Sequence, residues 1–110
     1  MRPLVYLCSP YTHADPAVRE SRYRAAVKKY AELMQAGEYV FSPIAHTHEA
    51  GLLMERPVDH DFWLRQDKAI LRHCDIVKVL MIDGWSESAG ISEEVVFANL
   101  IGIPVEYINP

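Results

Sequence analysis

Three features of the sequence predict an α/β fold: a small Rossmann-like or flavodoxin-like three-layer domain with a mainly parallel sheet of four or five strands. Short apolar runs alternate with segments of helical period, the pattern of strands joined by helical crossovers. The run Ile76–Ile82 is apolar almost throughout, as a central strand covered on both faces requires, with Lys78 the exception. Turn residues then separate the segments: Ser9-Pro10, Gly37, Ser42-Pro43, Asp83-Gly84 and Gly102.

The elements follow in order. Leu4-Val-Tyr-Leu-Cys8 is a short apolar run stopped by Ser9-Pro10 and reads as a buried strand. Asp15-Pro16 supplies an N-cap and a proline at the first helical position. Tyr23, Ala26 or Val27, Tyr30 and Met34 recur beyond it at helical spacing, Glu20 and Arg24 are placed for an i,i+4 pair, and Gly37 ends the helix. Tyr39-Val-Phe41 makes a second strand, closed by Ser42-Pro43. From Ile44 to Pro57 no clean period is visible, and the stretch is expected to be a long loop with at most a helical turn. A helix from about Asp59 to His73, the strand Ile76–Ile82, a loop at Asp83–Ser86 and a helix from Ala89 to Ile101 follow. Gly102 stops that helix, and Pro104–Ile108 closes the sheet. Ligands of such sheets gather beyond the carboxyl ends of the strands, where Ser9–His13, Ser42–Glu49 and Asp83–Ser88 converge.

Two acidic residues stand out against this pattern. On the helix after Asp59, Trp63, Asp67, Ile70 or Leu71 and Cys74 share one face at steps of three and four, so Asp67 interrupts the stripe facing the sheet. A carboxylate buried there needs partners or takes up a proton; a hydrogen-bonded core aspartate is the alternative to a functional one. On the last helix, Gly90 is expected to cap and Glu93 to serve the cap and the helix dipole. Glu94 lies among Ile91, Val95, Ala98 and Ile101, where capping asks for no second acid, although paired acids in a first turn are common. If Asp67 and Glu94 meet in one pocket, they form the pair that splits a glycosidic bond. One attacks the anomeric carbon or steadies an oxocarbenium ion, and the other handles the proton of the leaving group.

The spacing Ser88-x-Gly90-x-x-x-Glu94-x-x-x-Ala98, preceded by Asp67 and by Cys74-Asp75 before a strand, resembles nucleoside 2-deoxyribosyltransferases and their relatives, the 2'-deoxynucleoside 5'-phosphate N-hydrolases. The opening Tyr6-Leu-Cys-Ser9-Pro10-Tyr11 is similar to the first strand and ligand loop of that superfamily, and the matching segments punctuate nearly the whole chain. The resemblance implies one deoxyribosyltransferase-like domain over residues 1–110, in an uncharacterised branch. It further implies Glu94 as nucleophile, Asp67 as acid-base partner and Tyr6 as the residue orienting Glu94 or lining the sugar site. Ser88 and Gly90 would offer donors to a 5' hydroxyl or phosphate, with Ser9, Pro10 and Tyr11 on the facing side. Water as acceptor gives hydrolysis, and a second base gives exchange. Two departures are visible. The first-loop arginine usual in the N-hydrolases is replaced by Tyr11-Thr12-His13, leaving His13, Arg19 or Arg22 to substitute. The transferases' Asp-x-Gly turn is Ser88-Ala-Gly90 here.

Around this core, His46 is expected to bond the substrate base or Asp67, Asp83 to line the ligand loop, and Trp85 to stack at the pocket mouth, with Trp63 in the core. A competing arrangement has His46 and His48 holding a metal for hydrolysis, and another keeps the pocket as a non-catalytic nucleotide-binding module. The leading expectation needs no metal and no cofactor. A net charge of −4 over 110 residues argues against a nucleic-acid polymer as partner and leaves a small nucleoside or nucleotide. Cys8 and Cys74 sit in or beside apolar runs and are expected to be buried thiols. No basic-then-apolar leader is visible and no apolar stretch reaches the ~18 residues of a membrane span, so a cytoplasmic protein off the membrane is expected. A homodimer or homotetramer is expected too, because so small a layer buries little surface by itself and the relatives it resembles complete their sites across subunits.

Overall fold

The computed structural model describes residues 2–110. Its sheet has four strands, all parallel: β1 (Leu4–Cys8), β2 (Tyr39–Phe41), β3 (Ile76–Leu80) and β4 (Val105–Ile108), in the order β2-β1-β3-β4. The helices are α1 (Pro16–Gln35), α2 (Pro43–Leu53), α3 (His60–Leu71) and α4 (Ala89–Ile101), with a single 3₁₀ turn at Trp85–Glu87. The parallel α/β class expected from the sequence is present, with four strands.

Strand alternation sorts the core. Tyr6 and Cys8 from β1 and Val77 and Val79 from β3 pack against Leu71 at the end of α3 and Ile91 and Ala98 from α4. Val5, Leu7 and Lys78 therefore point to the other face. There Lys78 Nζ meets Glu38 Oε1 at 2.7 Å, a half-buried ion pair beyond the end of α1 that accounts for a lysine in a central strand. Cys8 and Cys74 are buried and unbridged. Asp75 Oδ2 accepts the Leu4 N–H at 2.7 Å and ties the start of β1 to the residue before β3, a structural task remote from the strands' carboxyl ends.

Helix starts follow the local chemistry. The side chain of Asp15 accepts from Ala17 N, that of Ser42 from Ala45 N, that of Asp59 from Phe62 N and that of Ser88 from Ile91 N, with proline at the first position of both α1 and α2. Gly37 and Gly102 take positive φ where α1 and α4 end.

Two expectations fail here. The stretch expected as a long loop from Ile44 contains the 11-residue helix α2. Ser42-Pro43 starts it, but its apolar residues do not mark one face: the helix packs on α1, Ile44 and Leu52 border the cavity described below, and Leu53 is exposed. Ser88 rather than Gly90 caps α4, which puts Glu93 too far into the helix to serve the cap; its carboxylate meets His60 Nε2 at 2.6 Å instead.

Candidate active site

Connections leave β1 toward β2 and β3 toward β4 in opposite directions, so a crevice opens between the carboxyl ends of β1 and β3. A cavity of about 1170 Å³ occupies this position, walled by the loops that follow β1 and β3, by Arg22 of α1, and by α2 with the segment after it, α3 and the start of α4. Asp67 from α3 and Glu94 from α4 both line it. α3 and α4 pack on the same face of the sheet, which is why carboxylates 27 residues apart in sequence share one hollow.

Glu94 is only 5% exposed. Beneath it, fully buried in β1, the Tyr6 hydroxyl donates to Glu94 Oε2. Burial first, then the charges of Glu94 and Asp67, push the Tyr6 phenol far above its ordinary range, so it remains a proton donor. Burial and next the Asp67 charge push Glu94 up to about 8, with the Tyr6 hydrogen bond pulling the other way. Burial likewise pushes Asp67 up to about 7, opposed by His60. Burial thus disfavours ionisation of both carboxyls, and the Asp67 charge makes Glu94 the more reluctant of the two. That order favours the proton on Glu94 at rest, whereas a nucleophile on Glu94 working beside a general acid on Asp67 needs the reverse placement.

A second part of the cavity is suited to an anion. Ser9 Oγ is the buried side-chain oxygen with no hydrogen-bond partner among the described residues; Ser9 is 7% exposed and lines the cavity. Ser88, Ala89 and Gly90, at the N-terminus of α4, line it as well. The Ser88 oxygen already accepts from Ile91 N at 3.2 Å, so its hydroxyl proton is free to point outward. Arg22 reaches from α1, donates to the Thr12 carbonyl at 2.8 Å and makes no ion pair among the described residues. Its guanidinium lies over Gly84, where φ is +91° and a Cβ would fall 2.2 Å from Nη2. Both the backbone angle and the close approach require glycine there.

The remaining wall mixes apolar and charged side chains. Trp63 lines the cavity from α3 and leans on α2 at Gly51, where a Cβ would stand 3.4 Å from the indole. His60 and the 54–59 segment complete this side.

Of the residues singled out from sequence, Ser9, Tyr11, Asp67, Ser88, Gly90 and Glu94 line the cavity, and Tyr6 touches it through Glu94. Pro10, His46, Asp83 and Trp85 do not. Pro10 is fully buried after β1. Trp85 faces the core and Tyr107 of β4, with ring centroids 5.5 Å apart, and it is Trp63 that borders the cavity. Asp83 lines a smaller depression on the α1 side. His46 is exposed and packs against Phe41, whereas His48 points to Tyr11. The metal arrangement assumed extended backbone; on a helix, residues two apart diverge by about 200° and cannot close on one ion. Among the described residues no group of three or more His, Cys, Asp or Glu side chains is placed to hold a metal. Sequence reasoning missed the cavity roles of Trp63 and His60 and named Arg22 only as one of three substitutes. Trp63 shares a helix face with Asp67 one turn away, which was the available signal.

The fold and site thus define a parallel α/β domain with a carboxylate pair at its topological switch point. The chain belongs to the family described as Domain of unknown function (DUF1937), whose model matches residues 3–109. Its structure is similar to that of a 2-deoxyribosyltransferase from the psychrotolerant bacterium Bacillus psychrosaccharolyticus. The TM-score is 0.69 and the identity 23%, over 97% of this chain and 72% of that one. A likeness at that identity speaks to the fold. Comparison with curated proteins gives no match. No helix among the described residues is long and apolar enough to cross a membrane.

Proposed function

We propose that this protein cleaves the bond between sugar and base in small nucleosides or nucleotides, by hydrolysis or by transfer to a second base, with Glu94 as nucleophile. The observation carrying this reading is Glu94 held by the Tyr6 hydroxyl in a cavity that Asp67 shares. In the reaction, the carboxyl of Asp67 gives its proton to the departing base while ionised Glu94 attacks the anomeric carbon. The C–N electron pair leaves with the base, and a glycosyl ester forms on Glu94. Water or another base then attacks the same carbon and releases Glu94, with Asp67 taking up the proton. Positive charge developing on the sugar favours the ionised form of Glu94, so the step itself draws the proton toward Asp67.

Trp63, in the cavity wall, offers the base a flat ring to stack on. Ser9, Ser88, the N-terminus of α4 and Arg22 receive the 5' end of the sugar. The unpaired guanidinium favours a 5' phosphate over a bare hydroxyl, so Arg22 takes the place of the first-loop arginine that this sequence lacks. The protein is expected to act as a homodimer or homotetramer, a reading supported by the exposed apolar residues Val96, Leu100 and Ile101 on α4; light scattering that gives only a monomer at working concentration counts against it. The function is tested by release of free base from a panel of 2'-deoxynucleosides and their 5' monophosphates, followed by chromatography. Turnover should vanish in Glu94→Ala while ligand-induced thermal stabilisation survives. An unchanged rate in that variant would overturn the mechanism. Stabilisation by ligand without turnover in the parent would favour the binding-module reading.

A further inference from the structure

Beyond the carboxylate pair, the cavity wall contains a side-chain chain that the proposed reaction does not use. Tyr11, on the loop after β1, lines the cavity, and its hydroxyl lies 2.8 Å from His48 Nδ1 on α2. The other ring nitrogen, Nε2, lies 3.4 Å from Glu20 Oε2 on α1. The imidazole is stacked on Tyr23, with centroids 3.8 Å apart and planes 15° from parallel, and meets the Tyr11 ring edge-on. Its side chain is only 7% exposed. Arg24 fixes the other oxygen of Glu20 at 3.1 Å. Three side chains, Tyr11 from the loop after β1 and Glu20 and Tyr23 from α1, therefore hold one imidazole in a single orientation.

Hydrogen-bond direction follows from what each end can do. Glu20 is an acceptor, so it favours the proton on Nε2. Nδ1 is then left with a lone pair, and the Tyr11 hydroxyl must donate to it. Desolvation raises the Tyr11 phenol above its ordinary value, with Arg19 opposing, so the proton is there to give. Once that proton is committed to His48, the phenol oxygen can offer the cavity only a lone pair.

We propose that Glu20, His48 and Tyr11 form a positioning chain in which Tyr11 holds the ligand as a fixed hydrogen-bond acceptor for an N–H or O–H group of a nucleoside or nucleotide. Tyr11 touches the ligand, and His48 and Glu20 act through it. The inference rests on the proposed function for its ligand class, but the direction of the chain does not depend on that reading.

Two measurements test it. Imidazole nitrogen NMR on the full chain without ligand, at neutral pH, should show His48 as the Nε2–H tautomer, with Nδ1 unprotonated and its signal perturbed in Tyr11→Phe. Protonation at Nδ1, alone or in an imidazolium, overturns the proposal. Steady-state base release from 2'-deoxyadenosine and its 5' monophosphate then reads the positioning. Tyr11→Phe and His48→Phe should each raise KM about 5- to 10-fold with kcat within about 2-fold, the size of one ordinary hydrogen bond. The double variant should be no worse than either single one, because both remove the same interaction. His48→Asn, whose amide oxygen can still accept from Tyr11, should recover most of the loss. Multiplying effects, or a KM unmoved in Tyr11→Phe, would overturn the proposal while leaving Glu94 chemistry intact. If His48→Phe does not fold, Glu20→Gln is read in its place, with a smaller KM rise expected and an unchanged KM counting against the chain. If the parent protein releases no base at all, the proposed function fails. The same variants are then read by thermal shift with the two probes: a similar reduction of stabilisation in Tyr11→Phe and His48→Phe supports the chain, and full stabilisation in either refutes it.

Discussion

Replacing Tyr6 by phenylalanine removes one oxygen from the buried floor of the site and leaves Glu94 without its donor. The ring stays packed against Phe41, with centroids 5.8 Å apart, so the core loses little. The hydrogen bond is made to the carboxylate form and helps hold the Glu94 pKa down against burial and the Asp67 charge. A hydrogen bond to a charged group contributes about 1.5–3 kcal/mol. At about 1.4 kcal/mol per unit, its loss should raise the Glu94 pKa by about one to two units above the value near 8. At neutral pH the ionised fraction of Glu94 falls by the same factor, so kcat/KM should drop about 10- to 100-fold. The assay is base release measured from pH 5 to 10. The parent profile should be bell-shaped, because Asp67 must hold the proton while Glu94 is ionised, and in Tyr6→Phe the bell should be lower, with its alkaline limb moved to higher pH. A variant with the parent's profile and rate would refute the view that Tyr6 sets the state of Glu94.

Three further outcomes follow from the same geometry. Glu94 keeps its proton in the folded state up to about pH 8 but loses it near 4.5 when unfolded, so between those values the unfolded chain binds fewer protons and stability falls as pH rises. Glu94→Gln removes that dependence. Its melting temperature should exceed the parent's above pH 8, by an amount reflecting a few kcal/mol, and a parallel pH dependence in both proteins would count against a buried acid. Arg22→Gln should weaken a 5' monophosphate about 10-fold or more, with little effect on the matching nucleoside, read as KM for each; equal effects on both would remove Arg22 from the phosphate site. Trp63→Ala should weaken every base-bearing ligand by about 1–3 kcal/mol in titration calorimetry while leaving binding of deoxyribose 5-phosphate alone. Equal loss for that sugar would mean a packing defect.

The framework was legible because its signals are local. Proline and an N-cap at Asp15-Pro16, the stop glycines Gly37 and Gly102 and the apolar run around Val77 and Val79 mark elements whatever surrounds them. The Glu94 and Asp67 pair was legible for a different reason. Each breaks an apolar stripe, and the alternation of strands and helices brings α3 and α4 to one face of the sheet. The rest depended on tertiary placement. α2 carries apolar residues on more than one side, so no single period reports it, and reading it as a loop misdirected His46 and His48 toward a metal they cannot share. Which tryptophan faces the cavity turned on the 3₁₀ turn that rolls Trp85 onto Tyr107. Arg22 sits in the middle of an amphipathic helix, and only its approach to Gly84 distinguishes it from the other surface cations of α1.

A covalent sugar on the enzyme speaks most directly to the chemistry assigned to Glu94. A 2'-fluorinated deoxynucleoside 5' monophosphate, whose fluorine slows breakdown of the glycosyl ester by disfavouring the oxocarbenium ion, should leave the quenched protein heavier by one sugar phosphate. Peptide mapping should find that mass on the carboxyl of Glu94. Base released with no adduct, or an adduct on any other side chain, would contradict the account.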